Sequence, residues 1–217
     1  MQRLPFGKTM KFATFIAVLA GISCCHGYSL GPPLEACGDM FPTGHGFQAS
    51  TDASPFSFNL TKNTYSPGER IEVYLNTSQE MYGDYFMEGV LIQMRPVTCE
   101  VKSIGTFSVP DQDEFLKPFS CFGRDGSALR HYSHLHIYNR TFSWTAPSQS
   151  SGHLYIRATI ARNQEKFWTN VYSEYILDES ISASANLTHD CPTAGAVGVA
   201  VSNILAGFTV VLTLILL

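Results

Sequence analysis

The stretch "HLYIRATIA" (153–161) alternates apolar and polar side chains: Leu154, Ile156, Ala158 and Ile160 face one way, Tyr155, Arg157 and Thr159 the other. A period of two is that of a half-buried β-strand and does not fit a helix. The same period runs through "RIEVYL" (70–75), where Ile71, Val73 and Leu75 oppose Arg70, Glu72 and Tyr74. It recurs in "GVLIQMR" (89–95), with Val90, Ile92 and Met94 on one face. Turn-forming clusters separate these runs: "SPGE" at 66–69, "GRDG" at 123–126 and "APSQSSG" at 146–152. No long helical period occurs outside the termini, so the chain is predicted to be all-β, an antiparallel β-sandwich.

The two ends are a different matter. Arg3, Lys8 and Lys11 precede an apolar run over 12–25, the order of a secretory signal peptide, with cleavage expected after Gly27. Residues 194–217 are uncharged and largely apolar. As a helix they would reach about 36 Å, enough to cross a bilayer core of about 30 Å. The sequence before them, "SISASANLTHDCPTAGAV", also supplies the small residues and polar spacer of a glycolipid (GPI) attachment signal, with Ser184 as a candidate attachment residue. Both readings of the tail predict a route through the secretory pathway to the cell surface, with membrane attachment or release by shedding or secretion. The expected organisation is a signal peptide at 1–27, one domain at 28–178, a polar stalk at 179–193 and the tail at 194–217.

Four cysteines survive signal removal, Cys37, Cys99, Cys121 and Cys191, an even set that reads as two disulfides with three possible pairings in an exported chain. Attachment at Ser184 would discard Cys191 and leave an odd thiol. The attachment point then lies later, near 193–195, or Cys99 stays free or pairs with another chain. Sequons at Asn59, Asn76, Asn139 and Asn186 predict a glycoprotein in which each occupied site sits on solvent.

Removal of Arg3, Lys8 and Lys11 takes the net charge from −4 to −7, which argues against a nucleic-acid partner. The charge is uneven. Between 124 and 166, Arg124, Arg130, Arg140, Arg157, Arg162 and Lys166 face only Asp125 and Glu165. This excess is a candidate anion-binding face, weighed against ordinary solvated arginines on outward strand faces. In "HYSHLH", His134 and His136 share a predicted strand face three and five residues after His131. Imidazoles so spaced can bind zinc or copper, but the pattern offers no third ligand, so no metal site and no cofactor are expected. Phe142, Trp144, Phe167 and Trp168 are predicted core residues. The chain has no nucleophile elbow, phosphate loop or zinc-protease motif, and no enzymatic activity is expected.

Taken in order, several short motifs resemble the reeler (reelin N-terminal) domain. They are "CGDMFPTGHG" with Cys37, Met40, Pro42, His45 and Gly46, "YSPGE" from Tyr65, "FMEGVLIQMR" at 86–95 and "GTF" at 105–107, followed by Cys121, "FSWTAP" at 142–147, "IRATIA" and "FWTNVYS". Met94 and Val90 depart from the family's usual residues by apolar swaps that should leave the fold intact. The resemblance implies a sandwich of immunoglobulin-like type and a disulfide between Cys37 and Cys121. Cys99 with Cys191 is then the remaining pair by subtraction. Single-domain members similar to this chain are insect haemolymph defence proteins, so the resemblance implies a surface or secreted binding module for microbial glycolipid or peptidoglycan. An adhesion or matrix role toward an extracellular protein is the alternative. Ferric-chelate reductase ectodomains also carry the domain, but electron transfer needs haem in a multi-helix bundle, and this sequence has at most one span.

Overall fold

The computed structural model describes residues 31–81, 83–182 and 187. Ten strands follow in chain order: β1 (Phe56–Leu60), β2 (Thr64–Tyr65), β3 (Arg70–Thr77), β4 (Gly89–Pro96), β5 (Thr106–Ser108), β6 (Leu116–Cys121), β7 (Arg124–His131), β8 (Asn139–Thr145), β9 (Leu154–Ala161) and β10 (Phe167–Asp178). They form a four-stranded sheet, β1-β3-β8-β5, and a six-stranded sheet, β2-β10-β9-β4-β7-β6. All pairs are antiparallel except β2 with β10, which run parallel, so the expected antiparallel sandwich carries one mixed edge.

The alternation read from the sequence sets the inner faces. Ile71, Val73 and Leu75 of β3, Phe142 and Trp144 of β8, and Ile156, Ala158 and Ile160 of β9 meet in one core. The four aromatics expected there, Phe142, Trp144, Phe167 and Trp168, are all buried. Trp144 packs edge-on against Tyr65, and its Nε1 donates to the Ile104 carbonyl at 2.8 Å.

Two turns differ in how they form. In "SPGE", Gly68 takes φ +78° and the Glu69 amide donates to the Ser66 carbonyl, a turn for which Pro67 fixes the preceding φ. "GRDG" is mostly strand. The reversal between β6 and β7 is the pair Phe122 and Gly123, at φ 55° and 69°, the left-handed geometry of a two-residue hairpin turn.

The departure that matters for function is on the outer face of the six-stranded sheet. The half-buried pattern expected for β4 and β9 fails there: every residue of β4 is buried, and so are Tyr155 and Thr159 of β9. The N-terminal segment 31–42 lies across this face as a strap. Cys37 is bonded to Cys121 of β6. Side chains that the two-residue period sends outward capture its carbonyls. Gln93 Nε2 donates to Cys37 O (3.1 Å), Arg95 donates to Cys37 O (2.8 Å) and Gly38 O (2.9 Å), Arg157 to Asp39 O (2.9 Å) and Thr159 to Met40 O. A second apolar cluster, including Ala36, Met40, Leu91 and Ala128, forms beneath it. Burial, with Arg157 close by, lowers the Arg95 pKa to about 10, which leaves it charged at neutral pH.

At the opposite end, β10 closes the domain with a polar clasp. Tyr65 Oη lies 2.7 Å from Gly152 O and 3.0 Å from an Asp178 carboxylate oxygen, and burial pushes its pKa up to about 12. Burial also raises the Asp178 pKa, but hydrogen bonds donated by Ser150, Ser180 and Tyr65 outweigh it and hold the carboxyl well below its usual 3.8. A depressed carboxylate stabilises the fold fully above its unfolded pKa and loses that contribution as pH falls below about 4. Asp178→Asn is therefore expected to flatten the acid limb of a stability–pH profile and to cost about 2 kcal/mol at pH 7. An unchanged acid limb would assign acid unfolding to other groups.

Candidate functional site

The strap does not seal the sheet along its whole length. Where it passes the start of β4 and the ends of β7 and β9 it leaves a groove of about 250 Å³. Pro33, Met40, Val90, Leu91 and Ala161 give it apolar walls, while His45, Glu88, His131, His134, Asn163 and Gln164 supply polar groups. Gly31 starts the strap at φ +111°, and a Cβ there would lie 2.5 Å from the His131 carbonyl, so only glycine lets the chain enter so close to β7. His45 stands edge-on to Phe167 at 5.3 Å, and burial lowers its pKa from 6.5. The imidazole is thus held neutral at the groove mouth at physiological pH. Leu34 and Leu135, which follow the lining residues Pro33 and His134 directly in the chain, are exposed.

The basic residues singled out from sequence do not form one face. Arg140 sits on β8 of the other sheet, directly across from Leu75 and on the inward side of the alternation. It emerges at the sandwich end over Phe115, with Asp113 at 3.6 Å. Arg157 is committed to the strap and to Asn170, and Arg130 lies over the Phe119 ring at 4.9 Å. Arg162 and Lys166 flank Asn163 and Gln164 in the β9–β10 connection, which lines the groove. Arg162 stacks on Phe86 at 5.0 Å and donates to the Asp84 carbonyl at 2.6 Å, while Lys166 pairs with Asp52 beside Trp168.

The histidines also part company. His134 and His136 lie in the β7–β8 connection, outside any named strand. His131 Nδ1 accepts from the Val90 amide at 3.0 Å, whereas His136 stacks on Phe86 at 3.8 Å and meets Glu88 at 2.7 Å. Among the described residues no three His, Cys, Asp or Glu side chains group to hold a metal ion.

Cys99 is disulfide-bonded, and Cys191, the partner expected by subtraction, lies outside the described residues. Also outside them are the signal region, Ser184, Asn186 and the tail at 194–217. Among the described residues no helix is long and apolar enough to cross a membrane.

The sequence pattern of the Reeler domain family matches residues 35–183, and the chain belongs to that family. Hdd11 of Hyphantria cunea, a protein named for a defense role, is 30% identical over 165 residues, which span 75% of this chain and 95% of that one. A Danio rerio protein named for ferric-chelate reductase activity is 30% identical over 151 residues, but these make up only 25% of its length. The human F-spondin reeler domain is similar in structure, with a TM-score of 0.48 and 17% identity over 61% of this chain and 94% of that one. The protein is thus an extracellular module of the reeler type.

Proposed function

We propose that this module is a non-enzymatic recognition protein of innate immunity, secreted or held at the cell surface, and that it binds microbial surface glycolipids. The observation that carries this reading is the groove under the strap, with apolar walls for an acyl chain and a polar rim. Arg162 and Lys166, close in the chain to the rim residues Asn163 and Gln164, are the cations an anionic headgroup would draw from their present partners. Peptidoglycan, which has no acyl chain, makes poorer use of such walls. The relatives named for a defense role match nearly end to end, whereas the chain spans a quarter of the reductase-named relative. The net charge, −4 for the whole chain and −7 once Arg3, Lys8 and Lys11 are removed with the signal, opposes adsorption to anionic surfaces at long range, so binding depends on the local groove.

The test is a pull-down of the secreted, glycosylated protein on lipopolysaccharide, peptidoglycan and whole bacteria across a salt series. Saturable binding to the glycolipid is expected, weakened by salt and about tenfold weaker in Arg162→Glu/Lys166→Glu. Arg157→Glu is a poor probe, because it would also release the strap. A folded protein that binds none of these at any salt would overturn the reading in favour of an extracellular protein partner.

A further inference from the structure

Three of the four sequons converge on one surface. In β1 the buried Phe56 and Phe58 face the core and send Asn59 outward. In β3 the buried Ile71, Val73 and Leu75 do the same for Tyr74 and Asn76, as do Phe142 and Trp144 of β8 for Asn139. All three asparagines therefore lie on the outer face of the four-stranded sheet. The register makes the grouping tight: Asn76 is the direct cross-strand partner of Asn139, and Asn59 of Tyr74. Cross-strand partners on one face have Cβ atoms about 4.5–5.5 Å apart. Tyr74, 38% exposed, is the one large hydrophobic residue exposed on β1, β3, β5 and β8.

We propose that the outer face of the four-stranded sheet is a glycan-covered face, in which the sugar on Asn59 lies over the Tyr74 ring and sugars on the Asn76/Asn139 pair cover the adjoining end. In each transfer the Asn amide nitrogen bonds to the anomeric carbon of a polyprenyl-pyrophosphate-linked oligosaccharide. The bond from that carbon to the pyrophosphate oxygen breaks, the pyrophosphate leaves with the electron pair, and the amide gives up one proton. The carbon-bound hydrogens of a pyranose ring suit the electron-rich face of an exposed tyrosine, whose hydroxyl stays wet and bonded to Glu72. Three neighbouring glycans also deter other chains from docking on β1 and β3. The six-stranded sheet, with the strap and groove, carries no sequon among the described residues. None of this depends on what the groove binds.

The full chain expressed through a secretory pathway tests it in two readouts. Glycopeptide mass spectrometry should find sugar on Asn59, on Asn76 and on Asn139. Hydroxyl-radical footprinting of the folded protein, before and after endoglycosidase trimming, should show Tyr74 oxidation rising at least threefold. Phe47, outside this sheet, should not change. Trimming after folding avoids the misfolding that a triple Asn→Gln variant risks, and Asn59→Gln alone should reproduce the Tyr74 gain. Unoccupied sequons, or a Tyr74 rate indifferent to trimming, would overturn the proposal.

Discussion

Replacing both Cys37 and Cys121 with serine is expected to lower unfolding stability by about 4.5 kcal/mol. The two cysteines are 84 residues apart in sequence, and closing a loop of that length removes entropy worth that amount from the unfolded chain. The loss should show locally as well as globally. Without the bond the strap is held by hydrogen bonds to four carbonyls, from Gln93, Arg95, Arg157 and Thr159, and by the small apolar cluster around Met40 and Leu91. Denaturant unfolding should give the reduced midpoint, and hydrogen exchange should show amides at 36–45 opening before the sheet does. A loss below about 1 kcal/mol, with the strap still protected, would mean that the side-chain donors alone hold it.

Trp144→Ala is expected to cost about 3–5 kcal/mol, the range for truncating a fully buried aromatic. Trp144 is 0% exposed and sits between the sheets against Tyr65 and Phe107, and its removal leaves the Ile104 carbonyl without the indole donor. The local backbone cannot collapse to fill the space easily. Gly105 adopts φ +70°, and even a Cβ there would come 2.4 Å from the Trp144 Nε1, so this glycine and this tryptophan fit as a pair. Thermal unfolding checks the cost. A cost under 1 kcal/mol would show that neighbours relax into the void.

How far the sequence could be read follows from which surfaces carry a periodic signal. The inner faces of β3, β4 and β9 were legible because alternation reports burial on one side of a sheet, and Phe142 and Trp144 of β8 because large aromatics seek the core. The outer face of β4 and β9 was not, because a covering segment has no period of its own. Nothing local in "GPPLEACGDMFP" says that it lies over Leu91 and Thr159. One signal was present: β4 is apolar at Leu91, out of phase with its inward set, and such a continuous run marks a strand covered on both sides. The basic cluster, weighed as a candidate face against ordinary solvated arginines, is dispersed for a similar reason. Proximity in sequence from 124 to 166 spans both sheets, and the strand phase of β8 sends Arg140 to the Leu75 side. Short β1, β2 and β5 were missed because two to five residues give a period of two too little room, and β6 because its burial does not alternate.

The central claim is that the groove beneath the strap is the binding site. Hydrogen exchange of the secreted protein titrated with lipopolysaccharide, alongside a Thr43→Trp variant that places an indole at the exposed groove mouth, tests it most directly. The account predicts protection confined to 32–45, 88–91, 131–134 and 159–164, and loss of binding by at least tenfold in the variant. Protection elsewhere, or a folded Thr43→Trp protein that binds as the wild type does, would contradict it.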